Sequence, residues 1–439
     1  MPDDGARHVI AAIATDFTEF PGVATPGDGP IGWTGYGDAK TRARTASGET
    51  ESVVCGEARI GGVEVVLIVF DFRFLGGSVG TKTGDRIEHA FTRARETRTP
   101  LVSLIATGGS RMHEGMLSLR QLQRVARQST LLREAGIPQI SVLRDPTTGG
   151  LWASLGAGAD VVIGMTGAQV GFAGRRVRPA ADVDDPAYTA AGQFANGHVD
   201  EVCEFDDLGS ALAEWLVLLT SGSPEPAAVP RALGSVESPA DGWSAVRRAR
   251  SADRPRAESY LDDYFDVRRE ISGDRAGGTD PGMLCGIGLV GHHAVAYAAQ
   301  TGTATKPAGF RLAARLIRLA ERLGISVLTL VDTPGAANDA AAERAGVGPA
   351  IAELFGTVAA ARVPITTLVI GEGGSGGALA LAAPDRTWIT PDAYFSVIAP
   401  ELCAAILKRD AAEVPATAEQ LRLRPQDLVD LGVVRGIAD

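Results

Sequence analysis

In two stretches of the chain, an apolar segment is followed by a glycine-rich segment and then by a segment of small residues. From Pro138, an apolar run rich in β-branched residues leads to Gly149-Gly150 and then to small residues. From Pro364, a similar run leads to Gly376-Gly377 and then to a small-residue run over 378–383. A short apolar run bounded by turn residues predicts a buried strand. The pattern therefore predicts a strand, a turn and a helix twice, with the two glycine pairs in matching places.

The repeat extends upstream of both glycine pairs. Residues 100–109 and 326–335 each read as an apolar strand that ends in a glycine-containing turn. Helical stretches over 86–98 and 310–323 precede them, and two strands are expected within 53–70. Strands that alternate with helices are typical of α/β folds. A repeat this long indicates two homologous domains rather than a solenoid.

Composition divides the chain into four segments. We expect residues 1–50 to form an N-terminal arm or packing extension and 51–220 to form the first domain. Residues 221–242 are rich in Ser, Pro, Glu and Ala, which is typical of a linker. The second domain is expected over 243–439.

Charge and hydropathy narrow the class of protein. The 439 residues are 45% hydrophobic and 22% charged, as in ordinary soluble domains. The net charge of −11 argues against a dedicated nucleic-acid binder. No apolar run approaches the roughly 20 residues of a membrane helix, and no secretory signal is recognisable. We therefore expect a cytoplasmic protein without a membrane or nucleic-acid partner.

Metal binding is not expected. The four cysteines, Cys55, Cys203, Cys285 and Cys403, are far apart and form no C-x-x-C pair. A zinc ribbon is therefore excluded and a disulfide framework is not expected. The adjacent pair His292-His293 has no third ligand at suitable spacing.

The glycine-rich segments suit the binding of a developing oxyanion. Glycine lets backbone N–H groups approach a bound oxygen, and the start of a helix leaves N–H groups without intrahelical acceptors. Such preorganised donors stabilise negative charge that forms in a transition state. A tight turn before a buried helix would explain one such segment equally well, but the second copy favours a functional role.

Four motifs in the first half resemble one known family, and five in the second half resemble its partner. Residues 70–80 (Phe-Asp-Phe-Arg-Phe-Leu-Gly-Gly-Ser-Val-Gly), 107–115, 145–150 and 171–174 resemble the beta subunit of the carboxyltransferase of bacterial acetyl-CoA carboxylase. Residues 253–255, 273–276, 332–336, 370–380 and 394–407 resemble its alpha subunit. The chain is thus similar to a fusion of the two subunits over residues 50–439.

This resemblance implies a fold and a reaction. The fold would be two tandem crotonase-like domains, each a spiral of ββα units. The reaction would move a carboxyl group from carboxybiotin to the α-carbon of acetyl-CoA or another small acyl-CoA, giving malonyl-CoA or a homologue. No protein general base is needed, but two oxygens become negative, one on biotin and one on the thioester.

The resemblance also implies which residues form the site. Gly108, Gly109 and Ser110 would hold the thioester enolate, while Gly376, Gly377 and Ala378 would hold the ureido oxygen of biotin. The surrounding substrate-binding residues would be Gly76, Gly77, Arg111, His113, Gly149, Gly150, Gly335, Ala336, Gly373, Gly374 and Ser375.

Three side chains in the segment after Gly109 allow two interpretations. His113 either contacts the substrate or makes a hydrogen bond at the surface or at a helix start. Arg111 and Glu114 either form an internal ion pair that braces the loop or contact the substrate directly.

Biotin is expected on a separate carrier protein. None of the four lysines, Lys40, Lys82, Lys306 and Lys408, has methionine neighbours as a biotinylation site would. No region large enough for an ATP-grasp domain is recognisable, so biotin carboxylase would be separate as well. The family also implies a homodimer or larger oligomer, in which the first half of one chain faces the second half of another.

Two other functions remain open from the sequence. A decarboxylase or acyl-transfer enzyme acting on malonyl-type thioesters without biotin would use the same two glycine-rich loops. A non-catalytic protein that only binds the carrier or the thioester is a third alternative, although it would have no need for the intact glycines.

Overall fold

The computed structural model describes residues 5–22 and 27–439. The chain divides into two compact units, Met1–Thr220 and Ser221–Asp439. Residues 1–4 and 23–26 of the expected N-terminal arm lie outside the described residues.

The first unit is a mixed sheet with helices packed against it. Its elements are α1 (Ala6–Ile13), β1 (Thr15–Glu19), α2 (Tyr36–Ser47), β2 (Val53–Ile60), β3 (Val63–Phe70), α3 (Thr81–Thr97), β4 (Leu101–Thr107), α4 (Met116–Leu119), α5 (Gln121–Glu134), β5 (Gln139–Thr148), β6 (Val161–Met165), β7 (Val170–Gly171), α6 (Ala190–Ala195), β8 (Glu201–Cys203) and α7 (Leu208–Thr220). The strands lie in the order β1-β2-β3-β4-β5-β6-β8, and β7 pairs with β5.

The expected hairpin and the parallel strands form the centre of this sheet. β2 and β3 pair antiparallel around the turn at Gly61-Gly62, where both glycines have positive φ. From β3 to β6 all pairings are parallel. All seven residues of β4 are buried, as expected for a strand covered on both faces.

Part of the expected N-terminal arm lies on the first sheet. β1 pairs antiparallel with β2. Four apolar residues of α1 are buried, and the backbone N–H of Ala6 donates to Asp71 Oδ2 at 3.0 Å. These residues add a helix and an edge strand to the first unit.

The second unit is built in a similar way. Its elements are α8 (Gly242–Ala249), α9 (Ala257–Tyr264), β9 (Val267–Glu270), β10 (Met283–Val290), β11 (His293–Gln300), α10 (Pro307–Leu323), β12 (Ser326–Thr333), α11 (Ala340–Arg344), α12 (Val347–Ala360), β13 (Ile365–Gly374), α13 (Ser375–Leu379), β14 (Thr387–Ile389), β15 (Tyr394–Ser396), α14 (Pro400–Ile406), α15 (Val414–Gln420) and α16 (Pro425–Asp430). Its strand order is β14-β13-β12-β11-β10-β9, and β15 pairs with β13.

The segment 221–242 packs on this second sheet. The carbonyl of Ser221 accepts a hydrogen bond from Ala294 N at 2.8 Å. Ala227 belongs to the apolar core, and its carbonyl accepts from Thr366 Oγ1 at 2.8 Å.

The two units repeat one succession of elements, which confirms the expected α/β fold. In each, an antiparallel hairpin is followed by a 17-residue helix, α3 or α10. A parallel strand, a 14-residue helix (α5 or α12) and a second parallel strand follow.

One helix differs from its sequence-based prediction. The helix expected over 378–383 is a single turn, α13, which begins at Ser375 and ends at Leu379. The backbone N–H of Ala383 donates to Thr367 Oγ1 on β13 at 2.8 Å. This contact holds the chain against β13 after the helix has ended and before β14 begins.

Candidate active site

The first glycine loop follows β4. Its conformation is fixed by two short hydrogen bonds: Gly108 N donates to the carbonyl of Gly76 at 2.9 Å, and Gly109 N donates to Thr107 Oγ1 at 3.0 Å. Gly109 has φ +105°, a region that side chains disfavour. The loop is therefore held rigidly at the end of the strand.

The loop lies beside the turn that ends β5. A Cβ added to Gly149, which has φ +74°, would lie 3.2 Å from the Cα of Gly109. Gly150 follows at the start of a short helical segment. The sheet thus brings two of the expected site segments, 108–110 and 149–150, into contact.

The backbone donors open to a ligand differ from those expected. Because the amides of Gly108 and Gly109 already donate within the protein, they are not available to an oxyanion. The amides of Ser110 and Gly150 donate to no acceptor among the described residues. Of the three residues expected to hold the thioester enolate, Gly108, Gly109 and Ser110, only Ser110 thus has an amide without an acceptor among the described residues, and the amide of Gly150 in the neighbouring turn shares this property.

Gly76 and Gly77 support this loop from the other side. Both have positive φ, and Thr107 Oγ1 donates to the carbonyl of Gly77 at 2.7 Å. A Cβ on Gly77 would lie 2.0 Å from the carbonyl oxygen of Ala106. This close approach of two backbones explains the need for glycine here.

Arg111 lies behind the loop, with only 2% of its surface exposed. Its Nη1 donates to Glu51 Oε2 at 3.1 Å and to the hydroxyl of Tyr36 at 3.0 Å, and lies 3.7 Å from Glu114 Oε1. This burial and these partners favour the ion-pair interpretation of Arg111 and Glu114. Burial alone would raise the pKa of Glu51, but the charge and hydrogen bonds of Arg111 hold it below the usual range.

His113 packs against two aromatic rings. Its ring stacks on Tyr36 with centroids 4.9 Å apart and meets the edge of Trp33 at 5.5 Å. Its buried Nδ1 has no hydrogen-bond partner among the described residues.

The second glycine loop, after β12, has the same construction. Gly335 N donates to Thr333 Oγ1 at 3.1 Å, as Gly109 N does to Thr107, and Gly335 also has positive φ, at +143°. The amide of Ala336, like that of Ser110, donates to no acceptor within residues 5–22 and 27–439.

This loop contacts the end of β13. A Cβ on Gly374 would lie 2.1 Å from the carbonyl oxygen of Pro334, and one on Gly377 would lie 2.4 Å from Ala336 N. Gly373 pairs with Phe395 on β15. Gly376 and Gly377 stand in the first turn of α13, where amides have no intrahelical acceptor.

The two turns correspond with a shift of one residue from the sequence-based pairing. At the end of β4, Thr107 pairs with Thr147 of β5. At the end of β12, Thr333 pairs with Gly373 of β13. Counting onward from these positions matches Gly149 with Ser375, not with Gly376.

Backbone conformation supports the shifted match. Ser375 has φ +54° and Gly149 has φ +74°. Gly150 then corresponds to Gly376. A non-glycine residue in the left-handed region carries strain, of the kind that concentrates at functional turns.

A buried ion pair beneath the second loop was not singled out from the sequence. Arg254 Nη2 donates to both carboxylate oxygens of Asp332 at 2.6 Å. Asp332 Oδ1 also accepts from the backbone N–H of Glu372 at 3.1 Å. This fully buried carboxylate therefore ties β12 to the start of the glycine segment. Its signal in the sequence was an aspartate placed directly before Thr-Pro-Gly.

No group of three or more potential metal ligands occurs in the part of the chain that the structure describes. The same residues contain no helix long and apolar enough to cross a membrane.

Each unit thus has a pair of backbone segments with amides for which the described residues show no acceptor. In the first unit these are the amides of Ser110 and Gly150; in the second they are that of Ala336 and, in the first turn of α13 where amides lack intrahelical acceptors, those of Gly376 and Gly377. Two such sets can stabilise two oxygens that become negative during one reaction.

Two family models match the two halves of the chain. Residues 32–195 match the family model for the carboxyl transferase domain, and residues 235–439 match the model for acetyl-coenzyme A carboxylase carboxyltransferase-like proteins.

Curated relatives cover almost the whole chain. It is 41% identical over 463 aligned positions to the acetyl-coenzyme A carboxylase carboxyl transferase subunits beta/alpha of Salinispora arenicola, covering 99% of this chain and 82% of that protein. It is 32% identical over 408 positions to the probable biotin-dependent acyl-coenzyme A carboxylase beta3 subunit of Mycobacterium bovis, covering 91% and 82%.

A solved structure shares the fold. The transcarboxylase 12S hexamer with hydrolysed methylmalonyl-coenzyme A bound superposes with a TM-score of 0.80 at 21% identity, covering 100% of this chain and 87% of that one. The fold is therefore crotonase-like. With a beta-type half followed by an alpha-type half, the chain belongs to the carboxyltransferase family of biotin-dependent acyl-CoA carboxylases.

Proposed function

We propose that this protein transfers a carboxyl group between biotin on a separate carrier protein and the α-carbon of acetyl-CoA or another small acyl-CoA. The single observation that carries the proposal is the repeated pair of open amide segments, one in each unit. A reaction in which two oxygens become negative uses both of them.

The first unit is assigned to the acyl thioester. The amides of Ser110 and Gly150 would donate to the thioester oxygen as negative charge develops on it. Donors held by a rigid loop need little reorganisation during the reaction, and each typically contributes about 3–4 kcal/mol to transition-state stabilisation. The hydrogen bonds that fix Gly108 and Gly109 supply this rigidity.

The second unit is assigned to biotin. When bound, biotin supplies the carboxyl group and a ureido oxygen that becomes negative. Ala336, Gly376 and Gly377 would hold that oxygen through backbone N–H groups, with Ala378 next in the turn. The residues fit such a group, because a Cβ on Gly376 would meet no heavy atom within 4 Å and the space beside the donors is open.

We also propose that the protein works as a homodimer or larger oligomer with a biotin carrier and a biotin carboxylase as partners. Large apolar side chains stand exposed in both units. Met112 and Phe172 are 77% and 73% exposed in the first unit, and Val397 and Ile406 are 73% and 69% exposed in the second. Exposed apolar surface of this kind is typical of an interface, and a second copy is the occupant we propose. Sedimentation at the 45.5 kDa of one chain would contradict this.

Substitution of Ser110 tests the assignment of the first unit. Ser110→Pro removes the backbone N–H, whereas Ser110→Ala keeps it. We expect the proline variant to lower kcat for carboxyl transfer by roughly 10²–10³-fold. The alanine variant should retain most of the activity. Transfer from a carboxylated biotin carrier to acetyl-CoA is followed as malonyl-CoA formed. Equal losses in both folded variants would contradict a role for this amide.

A control reaction separates the alternatives. Loss of CO2 from malonyl-CoA without any biotin would favour a decarboxylase. Binding of the carrier without turnover of any thioester would favour a non-catalytic partner.

A further inference from the structure

Gln300, the last residue of β11, connects the two segments that carry the second set of amides. Its side chain is fully buried. Its Nε2 donates to the carbonyl of Gly377 at 3.1 Å and to Thr305 Oγ1 at 3.1 Å. One carboxamide group therefore holds the turn of α13 on one side and the segment before α10 on the other.

The bond to Gly377 fixes one peptide group in the short helix α13. In a helix of five residues, most carbonyl groups have no intrahelical donor, so a side chain can supply one. The carbonyl of Gly377 and the N–H of Ala378 belong to one planar peptide group and point in opposite directions. Because Gln300 holds the carbonyl, it also sets the direction of the Ala378 N–H.

Thr305 holds the other segment in the same manner. Its backbone N–H donates to the carbonyl of Gly335 at 3.1 Å, and its own carbonyl accepts from Ala337 N at 2.8 Å. The carbonyl of Gly335 and the N–H of Ala336 again belong to one peptide group. The direction of the Ala336 amide thus depends on Thr305, whose hydroxyl accepts from Gln300.

The first unit repeats the backbone part of this arrangement with different side chains. The place of Thr305 is taken by Val79, whose N–H donates to the carbonyl of Gly109 at 2.9 Å. The hairpin strand β3 ends at Phe70 as β11 ends at Gln300. Two apolar side chains thus stand where the second unit has a carboxamide and a hydroxyl. The backbone contacts therefore form without a polar link between the side chains.

Glutamine at this position is costly for the fold. Its Oε1 is buried and has no hydrogen-bond partner among the residues that the structure describes. A buried polar atom without a partner lowers stability, whereas an apolar side chain of the same length would avoid that cost. Since the first unit forms the same contacts with apolar residues, packing alone does not explain Gln300.

We propose that Gln300 is a positioning residue for the second set of amides, those of Ala336 and of the first turn of α13. Through Thr305 and the carbonyl of Gly377, it holds the two segments at a fixed separation, so that both can donate to one oxygen. The link itself is independent of any reaction, whereas its effect on turnover rests on the proposed function.

Apolar substitutions in the full chain test the link. Gln300→Met keeps the length of the side chain but removes its donor, and Thr305→Val gives this position the valine of the first unit. Thr305→Ser keeps the hydroxyl and should retain activity. The matched control is Gln139→Met in the first unit, because Gln139 is also buried and donates to a backbone carbonyl, that of Leu155, at 3.4 Å.

Amide hydrogen exchange measures the link without any turnover. Ala380 N donates to the carbonyl four residues earlier at 3.0 Å and reports on the turn of α13, while Ala337 N, which donates to Thr305, reports on the other segment. In Gln300→Met, peptides containing these two amides should exchange about five- to tenfold faster, because a hydrogen bond is lost. Gln139→Met should leave both rates unchanged. Rates in Gln300→Met that equal those of the control would overturn the proposal.

Carboxyl transfer measures the consequence for the reaction. We expect Gln300→Met to lower kcat roughly tenfold to 10²-fold, with little change in the KM for acetyl-CoA, because the thioester is assigned to the first unit. Thr305→Val should cause a smaller loss. The double variant should lose no more than Gln300→Met, since both residues act through one link. Additive losses, or full kcat in folded Gln300→Met, would contradict the positioning role. If Gln300→Met does not fold, equal activity of Thr305→Val and Thr305→Ser would contradict it instead.

The two measurements separate this proposal from the proposed function. Faster exchange in Gln300→Met, with no carboxyl transfer by the unmodified protein, would support the link and contradict the proposed function. Unchanged exchange and full transfer in the same variant would contradict the link and leave the proposed function in place.

Discussion

Replacing Gly377 with alanine should separate the two segments that form the second amide set. The added Cβ would lie 2.4 Å from Ala336 N and 2.9 Å from the carbonyl carbon of Gly335. Both neighbours are backbone atoms of a loop fixed by the Gly335–Thr333 hydrogen bond, so no side chain can rotate away. Since ordinary contacts to a Cβ are about 3.4 Å or longer, the segments must part by roughly 1 Å.

A displacement of this size is large for catalysis. A misplacement of about 1 Å can cost about 10²-fold in rate, and loss of one oxyanion donor costs about 10²–10³-fold. We therefore expect Gly377→Ala to lower kcat for carboxyl transfer by at least about 10²-fold, with a smaller change in the KM for the acyl-CoA. The KM should change less because the thioester is assigned to the first unit.

The matched control is Gly356→Ala. Gly356 lies in the middle of α12, and a Cβ there meets no heavy atom within 4 Å. Alanine should stabilise this helix by about 0.5–1 kcal/mol and leave turnover unchanged. The assay is malonyl-CoA formation from the carboxylated carrier, with thermal unfolding of both variants alongside. A folded Gly377→Ala protein with full kcat would refute the assignment of this segment.

Three further predictions concern the first unit and the buried thiols. Arg111→Met should destabilise the fold by about 3–5 kcal/mol in urea unfolding, because it leaves the buried Glu51 carboxylate without its partner; a loss below about 1 kcal/mol would contradict the ion-pair role. The pKa of Glu51 is lower in the folded protein than its ordinary value of 4.5. The ionised Glu51 carboxylate therefore stabilises the fold at pH values above 4.5, and this stabilisation is lost as the pH falls through the pKa that Glu51 has in the folded protein. Unfolding curves at decreasing pH should therefore show that loss in the unmodified protein and not in Arg111→Met. Burial raises the pKa of Cys55 to about 12 and that of Cys285 still further, so peptide mapping after iodoacetamide treatment should find both far less alkylated than half-buried Cys403.

Local patterns in the sequence predict most of the fold. Apolar runs bounded by glycine and proline locate β3, β4, β12 and β13, because a strand covered on both faces must be apolar throughout. The repeat identifies the two halves, since each element recurs in the same order. The length of α13 could not be predicted, because the small residues that follow it pack back on β13, where Ala383 N donates to Thr367 Oγ1, sixteen residues earlier in the sequence.

The site itself was only partly predictable. Glycine content locates the loops, but not which amides remain open. That depends on hydrogen bonds to Gly76 and Thr107, which only the folded loop reveals. The match of Gly149 with Ser375 also escaped the sequence, because a serine in the left-handed region takes the place that glycine has in the first unit.

The shared construction of the two loops has a consequence for how selectivity arises. A Thr-to-Gly hydrogen bond fixes both loops, and both present backbone donors, so neither loop can tell a thioester oxygen from a ureido oxygen by its own chemistry. Discrimination between the two ligands must therefore come from the side chains that surround each loop. If segments 107–110 and 333–336 are exchanged, each unit should still bind the same ligand as before. If the side chains that surround the two loops are exchanged instead, each unit should bind the other ligand. The same loop construction can therefore serve two different ligands, provided that the side chains around each loop differ.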